Sequence, residues 1–428
     1  MHSASPSAPR QPIGTLLIVL LIAATCILGM LSTVQSLALI FMELGDQVDR
    51  TSIFGQVTVI QTVAYVMASL LVGTSLSRWG YNRTFLVGAA LSAAGLFGLA
   101  LNAGYPAQLI TQAILSAGSA LFAMSASLYL LIHGWRRLAV WLPVAGLLGQ
   151  LFVNAAVLEV ERTSGFPNGS SGLYLVLTLS AGVLFAAIAF TRLRWRTVMP
   201  TGEAIWYYNP IQTLRDRQTW PFLGMMVSVA LVNTAVVNSL QSVVFLADGS
   251  AQDVANWSAL GWFGGMLGIA LWGWLVGRIS IERLLLLTFA GTVVGAVLLW
   301  LFPISIVYAG IQFFLSVLGS LTLLHVLDRS GIHHLPSLMG LGILAATVLN
   351  PLLQFAMSTI ASALGASLAL TLLIIGLALF SGACWWWAQQ NAGMPKKSPK
   401  QLDPDETVNS KDHITQEIPI PLRGGKGR

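Results

Sequence analysis

Charge is what this 428-residue chain has least of: Asp, Glu, Lys and Arg make up 9% of it, against about 25% in a soluble globular protein. With 55% hydrophobic residues and a mean hydropathy of +0.76, water is excluded as its main solvent. Cysteine is scarce too. Cys26 and Cys384 lie inside the first and last apolar runs, where thiols pack as small apolar groups, so neither a disulfide nor a metal site is expected. No phosphate loop is present, because Gly264-Gly265-Met266-Leu267-Gly268 and Gly340-Leu341-Gly342 are not followed by Gly-Lys-Ser/Thr. Close helix packing explains those glycines, and no cofactor is expected. A cleavable leader is missing as well: the run 13–42 exceeds the ~7–15 apolar residues of a signal peptide and reads as a retained first helix.

What is there is a series of apolar runs, each near the ~20 residues that cross a bilayer. Taken between charge clusters, they predict helices at 14–42, 53–76, 84–102, 107–131, 138–158, 172–191, 221–246, 254–277, 284–302, 304–327, 336–360 and 363–388. The expected fold class is an all-α polytopic membrane protein of about 12 transmembrane helices. With the N-terminus in the cytoplasm, only Arg50 and Arg162 of the 22 basic residues fall outside, which sets the orientation by the positive-inside rule. The same bias accounts for a pI of about 9.5 without nucleic acid as a partner. The longest connection, 192–219, carries Trp206-Tyr207-Tyr208-Asn209-Pro210 among arginines, a composition expected to lie on the inner headgroups. Residues 389–428 are rich in Pro, Lys, Asp and Gly and are expected to stay disordered.

The chain repeats itself at an offset of 200. Gly73, Arg78 and Arg83 at the end of the second run match Gly273, Arg278 and Arg283 at the end of the eighth; Gln112 and Ser116 match Gln312 and Ser316; Gln150 and Asn154 match Asn350 and Gln354; Gln56 matches Asn256. Gln35 and Gln241 correspond at a shifted offset. Two pseudo-symmetric six-helix bundles follow, 13–191 and 220–388, with 1–12 as an N-terminal tail and 192–219 between them.

The turn Gly73-Thr74-Ser75-Leu76-Ser77-Arg78-Trp79-Gly80-Tyr81-Asn82-Arg83 resembles the signature of the major facilitator superfamily, through Gly73, Arg78, Gly80 and Arg83. Ser77 departs from it, since the family usually has an aspartate there that helps latch the two halves on the cytoplasmic side. Arg78 and Arg83 are also explained by topology alone. The resemblance implies helices 1, 4, 7 and 10 around a central path, with 2, 5, 8 and 11 bridging the halves.

No acid or base is expected deep within a span, which argues against a strongly charged solute held by a buried counter-ion. The spans carry amides instead, expensive in hydrocarbon unless paired. Gln35, Gln112, Gln150, Asn154, Asn238, Gln241, Gln312, Asn350 and Gln354 are the candidate lining of a central cavity, hydrogen-bonding solute or water; the competing reading joins them helix to helix. Protons are the coupling ion to consider, with His325, Glu43 and Asp248 as titratable candidates. No embedded nucleophile, buried carboxylate or paired histidine suggests an enzyme. The resemblance implies a secondary transporter, working as a monomer in the inner (plasma) membrane with both termini cytoplasmic. Its expected cargo is a small neutral, zwitterionic or amphipathic organic solute, with export favoured over import of a neutral nutrient. A non-transporting scaffold is the alternative of another class.

Overall fold

A run of apolar side chains in hydrocarbon leaves the backbone to satisfy its own hydrogen bonds, and a helix does so within one segment. The computed structural model describes residues 18–30, 50–101, 105–132, 136–164, 168–194, 207–246, 251–331 and 333–391, and their long elements are all helices. They are α1 (Ile18–Met30), α2 (Arg50–Ala100), α3 (Tyr105–Ile132), α4 (Arg136–Ser164), α5 (Asn168–Arg194), the short α6 (Pro210–Arg215), α7 (Trp220–Leu246), α8 (Ala251–Leu275), α9 (Ile281–Leu301), α10 (Ser305–Ser330), α11 (Leu335–Leu364) and α12 (Ala366–Asn391). Among the described residues, eight stretches are long and apolar enough to cross a membrane. The expected runs 53–76 and 84–102 fall on one element, α2, broken at Gly80, whose φ of 74° and ψ of 172° are not helical. Glycine alone takes that backbone without strain, so the signature glycine makes the turn between two spans. Residues 1–388 form one compact unit; of the second, 389–428, the end of α12 is described.

Two apolar cores organise the first unit. One joins α1, the second part of α2, α3 and α5 through Leu21, Phe85, Leu96, Phe122 and Phe185. Phe122 sits at its centre, its ring 4.7 Å from Phe85 and 4.9 Å from Phe185. The larger core draws on α7 to α12 and also takes in Val72 and Leu76 of α2 with Leu128 of α3.

Where two helices in lipid have no hydrophobic drive to associate, close van der Waals approach replaces it, and small residues permit that approach. A Cβ on Gly88 would lie 2.6 Å from the backbone nitrogen of Phe122, and one on Gly95 the same distance from that of Leu115. On α8, Gly264 and Gly268 are closed over by the Ala309 and Phe313 backbone of α10. Gly95 and Gly295, an additional pair at the offset of 200, face Leu115 of α3 and Ile311 of α10, the fourth and tenth predicted spans.

The same offset appears in the seams. The first part of α2 packs on α11, and α4 packs on α8. Gly73 faces Pro336 and Ser337 of α11, its Cβ position 3.4 Å from each, while Gly273 faces the Trp141 indole of α4. Arg137 of α4 and Ser337 of α11, again 200 apart, each reach across a seam: Arg137 Nε donates to the Val276 carbonyl at 3.1 Å, and the Ser337 hydroxyl donates to that of Tyr208.

A methyl group therefore has opposite effects at two glycines. Gly268→Ala is expected to lower the thermal unfolding temperature in detergent, the overpacking against Phe313 costing about 1–3 kcal/mol. Gly376→Ala on α12, where nothing lies within 4 Å of the added carbon, is expected to leave stability unchanged or raise it by up to about 1 kcal/mol through helix propensity. Equal shifts in both variants would remove the packing explanation.

Candidate functional site

The helix ends divide the site into two regions. At the end carrying Arg78, Arg136, Arg278 and Arg329, the seam between α2 and α11 is filled by the segment that opens at Tyr207. The Ser77 hydroxyl donates to the Gly73 carbonyl at 3.0 Å and accepts the Tyr207 N–H at 3.1 Å, so one hydroxyl serves as both donor and acceptor. The Tyr207 and Tyr81 hydroxyls are hydrogen-bonded to each other. Burial pushes the Tyr207 phenol up to about 12, against the lowering effect of that bond, so it keeps its proton. On the α11 side, Tyr208 N–H donates to the His333 carbonyl at 3.0 Å, and its ring stacks on His334 with centroids 4.4 Å apart and planes 16° from parallel.

From there Asn209 starts α6 with a capping box: its side chain accepts Gln212 N–H at 2.8 Å, and Gln212 Oε1 accepts Asn209 N–H at 3.0 Å. Pro210 follows at the first helical position, where its missing N–H costs nothing. The helix buries Thr213, whose hydroxyl lies 3.3 Å from His334 Nδ1. Asp216 stands 3.5 Å from His334 Nε2. Burial holds the His334 imidazole below its ordinary range, outweighing the Asp216 carboxylate, with His333 adding to the lowering. A neutral ring with its proton on Nε2 satisfies both neighbours. The expectation that Trp206 to Pro210 lies on the headgroups is corrected for Tyr207, which is 4% exposed because its hydroxyl finds Tyr81 inside the seam. Trp206 is outside the described residues.

Ion pairs ring this end. Arg136 of α4 meets Asp328 of α10 at 2.8 Å, and Arg329 pairs with Glu282 of α9. Each partner is at least a third exposed, so such pairs are worth about 0–1 kcal/mol. Of the signature residues, Gly73 is inside the seam, Gly80 makes the turn, Arg278 lies over the Trp274 ring at 3.7 Å, and Arg78, Arg83 and Arg283 are exposed.

At the opposite ends of α8 and α10, Leu151 of α4, Asp253, Asn256, Trp257, Ala259, Leu260 and Phe263 of α8, and Ser305 of α10 line a cavity of about 610 Å³. Trp257 pairs with Tyr308 at 6.2 Å, and the Tyr308 hydroxyl accepts Gln312 Nε2 at 3.0 Å. Gln312 is thus two contacts behind the cavity wall. Its counterpart Gln112, 1% exposed, accepts Gln61 Nε2 at 2.7 Å, joining α3 to α2.

Among the remaining amides, Gln150 is half-buried on α4, Asn350 has its Oδ1 buried beside Pro351, and Gln354 is exposed on α11. Gln35 lies outside the described residues, as do the side chains of Asn154, Asn238 and Gln241. Of the titratable candidates, His325 is 2% exposed on α10, its ring 6.3 Å from Phe222 and its Nε2 without a hydrogen-bond partner. Glu43 and Asp248 lie outside the described residues. No group of three or more metal-ligating side chains occurs among the described residues. Sequence reasoning missed Gln61, Tyr81, Tyr207, Asp253, His334 and Ser337 as site residues.

No protein-family model and no curated protein sequence matches the chain. Solved structures do. A major facilitator superfamily transporter, FucP, in the outward conformation, superposes with a TM-score of 0.66 at 13% identity, covering 86% of this chain and 99% of that one. A second structure, of the E. coli fucose:proton symporter FucP, gives 0.66 and 13% over 86% and 98%. The proton:xylose symporter XylE bound to 6-bromo-6-deoxy-D-glucose gives 0.62 and 15% over 88% and 97%. With its helices, its seams and this likeness over most of its length, the chain is an all-α integral membrane protein with the major facilitator fold.

Proposed function

We propose that the chain is a divergent member of the major facilitator superfamily, a secondary transporter moving a small neutral polar organic solute by alternating access. The observation that carries this reading is the contrast between the two ends of the bundle: an open cavity at one, mostly apolar but with Asp253, Asn256 and Ser305 in its wall, and a seam closed by Tyr207, Tyr208 and His334 at the other. The arginine-rich end is the cytoplasmic one in this reading. The cavity offers a carboxylate, an amide, a hydroxyl and the face of Trp257, a set suited to hydroxyl groups with an apolar ring face between them. Solved neighbours include fucose:proton and proton:xylose symporters, which favours import of a neutral nutrient.

The lining is tested by uptake into vesicles over a panel of neutral sugars, polyols and zwitterions. Trp257→Ala is expected to raise KM by up to about tenfold through lost stacking, and Asp253→Asn to lower uptake of the same solute. Unchanged kinetics in both would exclude this cavity as the binding site. Proton coupling, in this reading, involves His325, which lies within electrostatic reach of Glu282, Arg329 and Asp328. Uptake by His325→Ala is then expected to lose its dependence on an imposed proton gradient; retained dependence excludes the residue.

Export of an amphipathic solute is a second reading, favoured by a separate cavity of about 420 Å³ between α7, α9 and α12. Its walls are almost wholly apolar, among them Leu286, Phe289, Val293 and Leu379, with Ser381 inside and Glu282 at one end. Gly382→Phe would block it, impairing export of a lipophilic cation while leaving sugar uptake intact; if export persists, the second reading falls.

The closed end has a pH dependence of definite sign. His334 binds its proton less readily in the seam than in water, so the latched state holds fewer protons than the released one. The latch is therefore at full strength above about pH 6.5, the ordinary histidine value, and weakens as pH falls below it. Nitroxides at Arg83→Cys and Arg283→Cys, in a background with Cys26 and Cys384 replaced by alanine, are expected to show a longer-distance population growing from pH 7.5 to 5.5. His334→Gln should abolish that change. A pH-dependent distance surviving in the glutamine variant would assign the switch elsewhere.

A further inference from the structure

We propose that the outer edge of the 210–220 segment is a docking surface for anionic phospholipid of the adjacent leaflet, so that the lipid holds the segment in its seam. The inference rests on the membrane placement described above, but not on the identity or direction of the solute.

The segment has two faces, and the first is already occupied. Tyr207 engages Ser77 and Tyr81 on α2, while Tyr208, Thr213 and Asp216 engage His334 on α11. One short stretch therefore ties a helix of the first half to a helix of the second. The other face is unpartnered. Ile211 and Leu214, three apart and so on one side of α6, are 63% and 41% exposed, and Trp220 beyond them is 50% exposed. The Trp220 ring is fixed rather than loose, since its Nε1 donates to the Leu214 carbonyl at 2.9 Å.

Arg215 and Arg217 stand exposed beside this apolar edge. The acid between them does not neutralise them: Asp216 accepts the Gln218 N–H at 3.0 Å with one oxygen and faces His334 with the other. Among the described residues, neither arginine takes part in an ion pair. Exposed aliphatics, an indole anchored by its N–H and two uncompensated guanidinium groups at the end of a bundle of spans match an interface whose acyl boundary is apolar and whose headgroups are negative. A soluble anion would use the arginines but not the aliphatic edge, and an acidic protein would not need the segment to sit level with the membrane.

The test uses the full chain in nanodiscs of phosphatidylcholine, alone or with a quarter phosphatidylglycerol. Phosphatidylglycerol is expected to raise the thermal unfolding temperature of the wild type and of Arg78→Gln/Arg83→Gln, which removes two exposed cations of the same end. Arg215→Gln/Arg217→Gln should lose that response, with the half-maximal phosphatidylglycerol content rising by up to about 30-fold for two cations at an anionic surface. Ile211→Ser/Leu214→Ser should weaken it. As a direct readout, quenching of tryptophan fluorescence by brominated phosphatidylglycerol should fall in Trp220→Phe. The proposal is overturned if the 215/217 variant responds like the wild type, or if both charge variants lose the response equally, since bulk charge then suffices. It is also overturned if inorganic phosphate in pure phosphatidylcholine gives the same stabilisation. No solute enters these measurements, so their failure and a failure of the transport reading are separable.

Discussion

A charge placed in hydrocarbon costs several kcal/mol even when helix and bilayer adjust around it, and the arrangement of this chain follows from that cost. Arg136, Arg137, Arg278 and Arg329 gather at one set of helix ends. The acids near them, Glu282 and Asp328, pair with those arginines rather than entering the bundle. Between the ends, polar work falls to neutral groups, many with a local use: Ser69, Ser125, Thr288 and Thr292 donate to carbonyls one turn back, Thr371 reaches the Ala296 carbonyl of α9 at 2.7 Å, and Gln61 meets Gln112.

The exclusion of charge also explains how the helices are held together. With hydrophobic association unavailable in lipid, α8 is fitted to α10 by Gly264 and Gly268, and the second part of α2 to α3 by Gly88 and Gly95. Gly340 of α11 makes a contact of the same kind with the Ser69 and Leu70 backbone of α2. The α2–α11 and α4–α8 seams add polar contacts: Ser77 of α2 and Ser337 of α11 bond to Tyr207 and Tyr208 between them, and Arg137 of α4 bonds to the Val276 carbonyl just beyond α8. Side-chain to backbone hydrogen bonds there are few and individually weak, about 1 kcal/mol each.

Much of this was legible because helix spans and helix packing are written locally. The run predicted at 221–246 is α7 at Trp220–Leu246, and Gly73 and Gly273, matched at the offset of 200, each pack against a neighbouring helix. What escaped notice depends on which helices become neighbours. Gln112 was recognised as a buried amide, but its partner Gln61 sits 51 residues away on another helix. Asp253 stands in the first turn of α8, but its place in a cavity wall needs α4 and α10 alongside. The Tyr207–His334 cluster joins the middle of the chain to the start of α11. Its signals were present in Asn209-Pro210, a helix start, and in the paired histidines just before Pro336, but the aromatics suggested lipid because the seam that receives them was not visible in one dimension.

Ser77 brings these strands together. An aspartate at its position would accept the Tyr207 N–H through a charge-assisted bond worth roughly twice a neutral one; the serine accepts it at 3.1 Å without charge. The closed end therefore draws its strength from number rather than from one strong contact: the Ser77 bond, the two tyrosine hydroxyls, the Tyr208 stack, the Ser337 bond and the Thr213 contact with His334. In the alternating-access reading proposed above, a gate must lie within a few kcal/mol of its open form, and several weak neutral contacts meet that condition as well as one acid does. They differ in what controls them. An acid latch would answer to the arginines beside it, whereas the contacts here are built around one partly buried histidine and the segment that covers it.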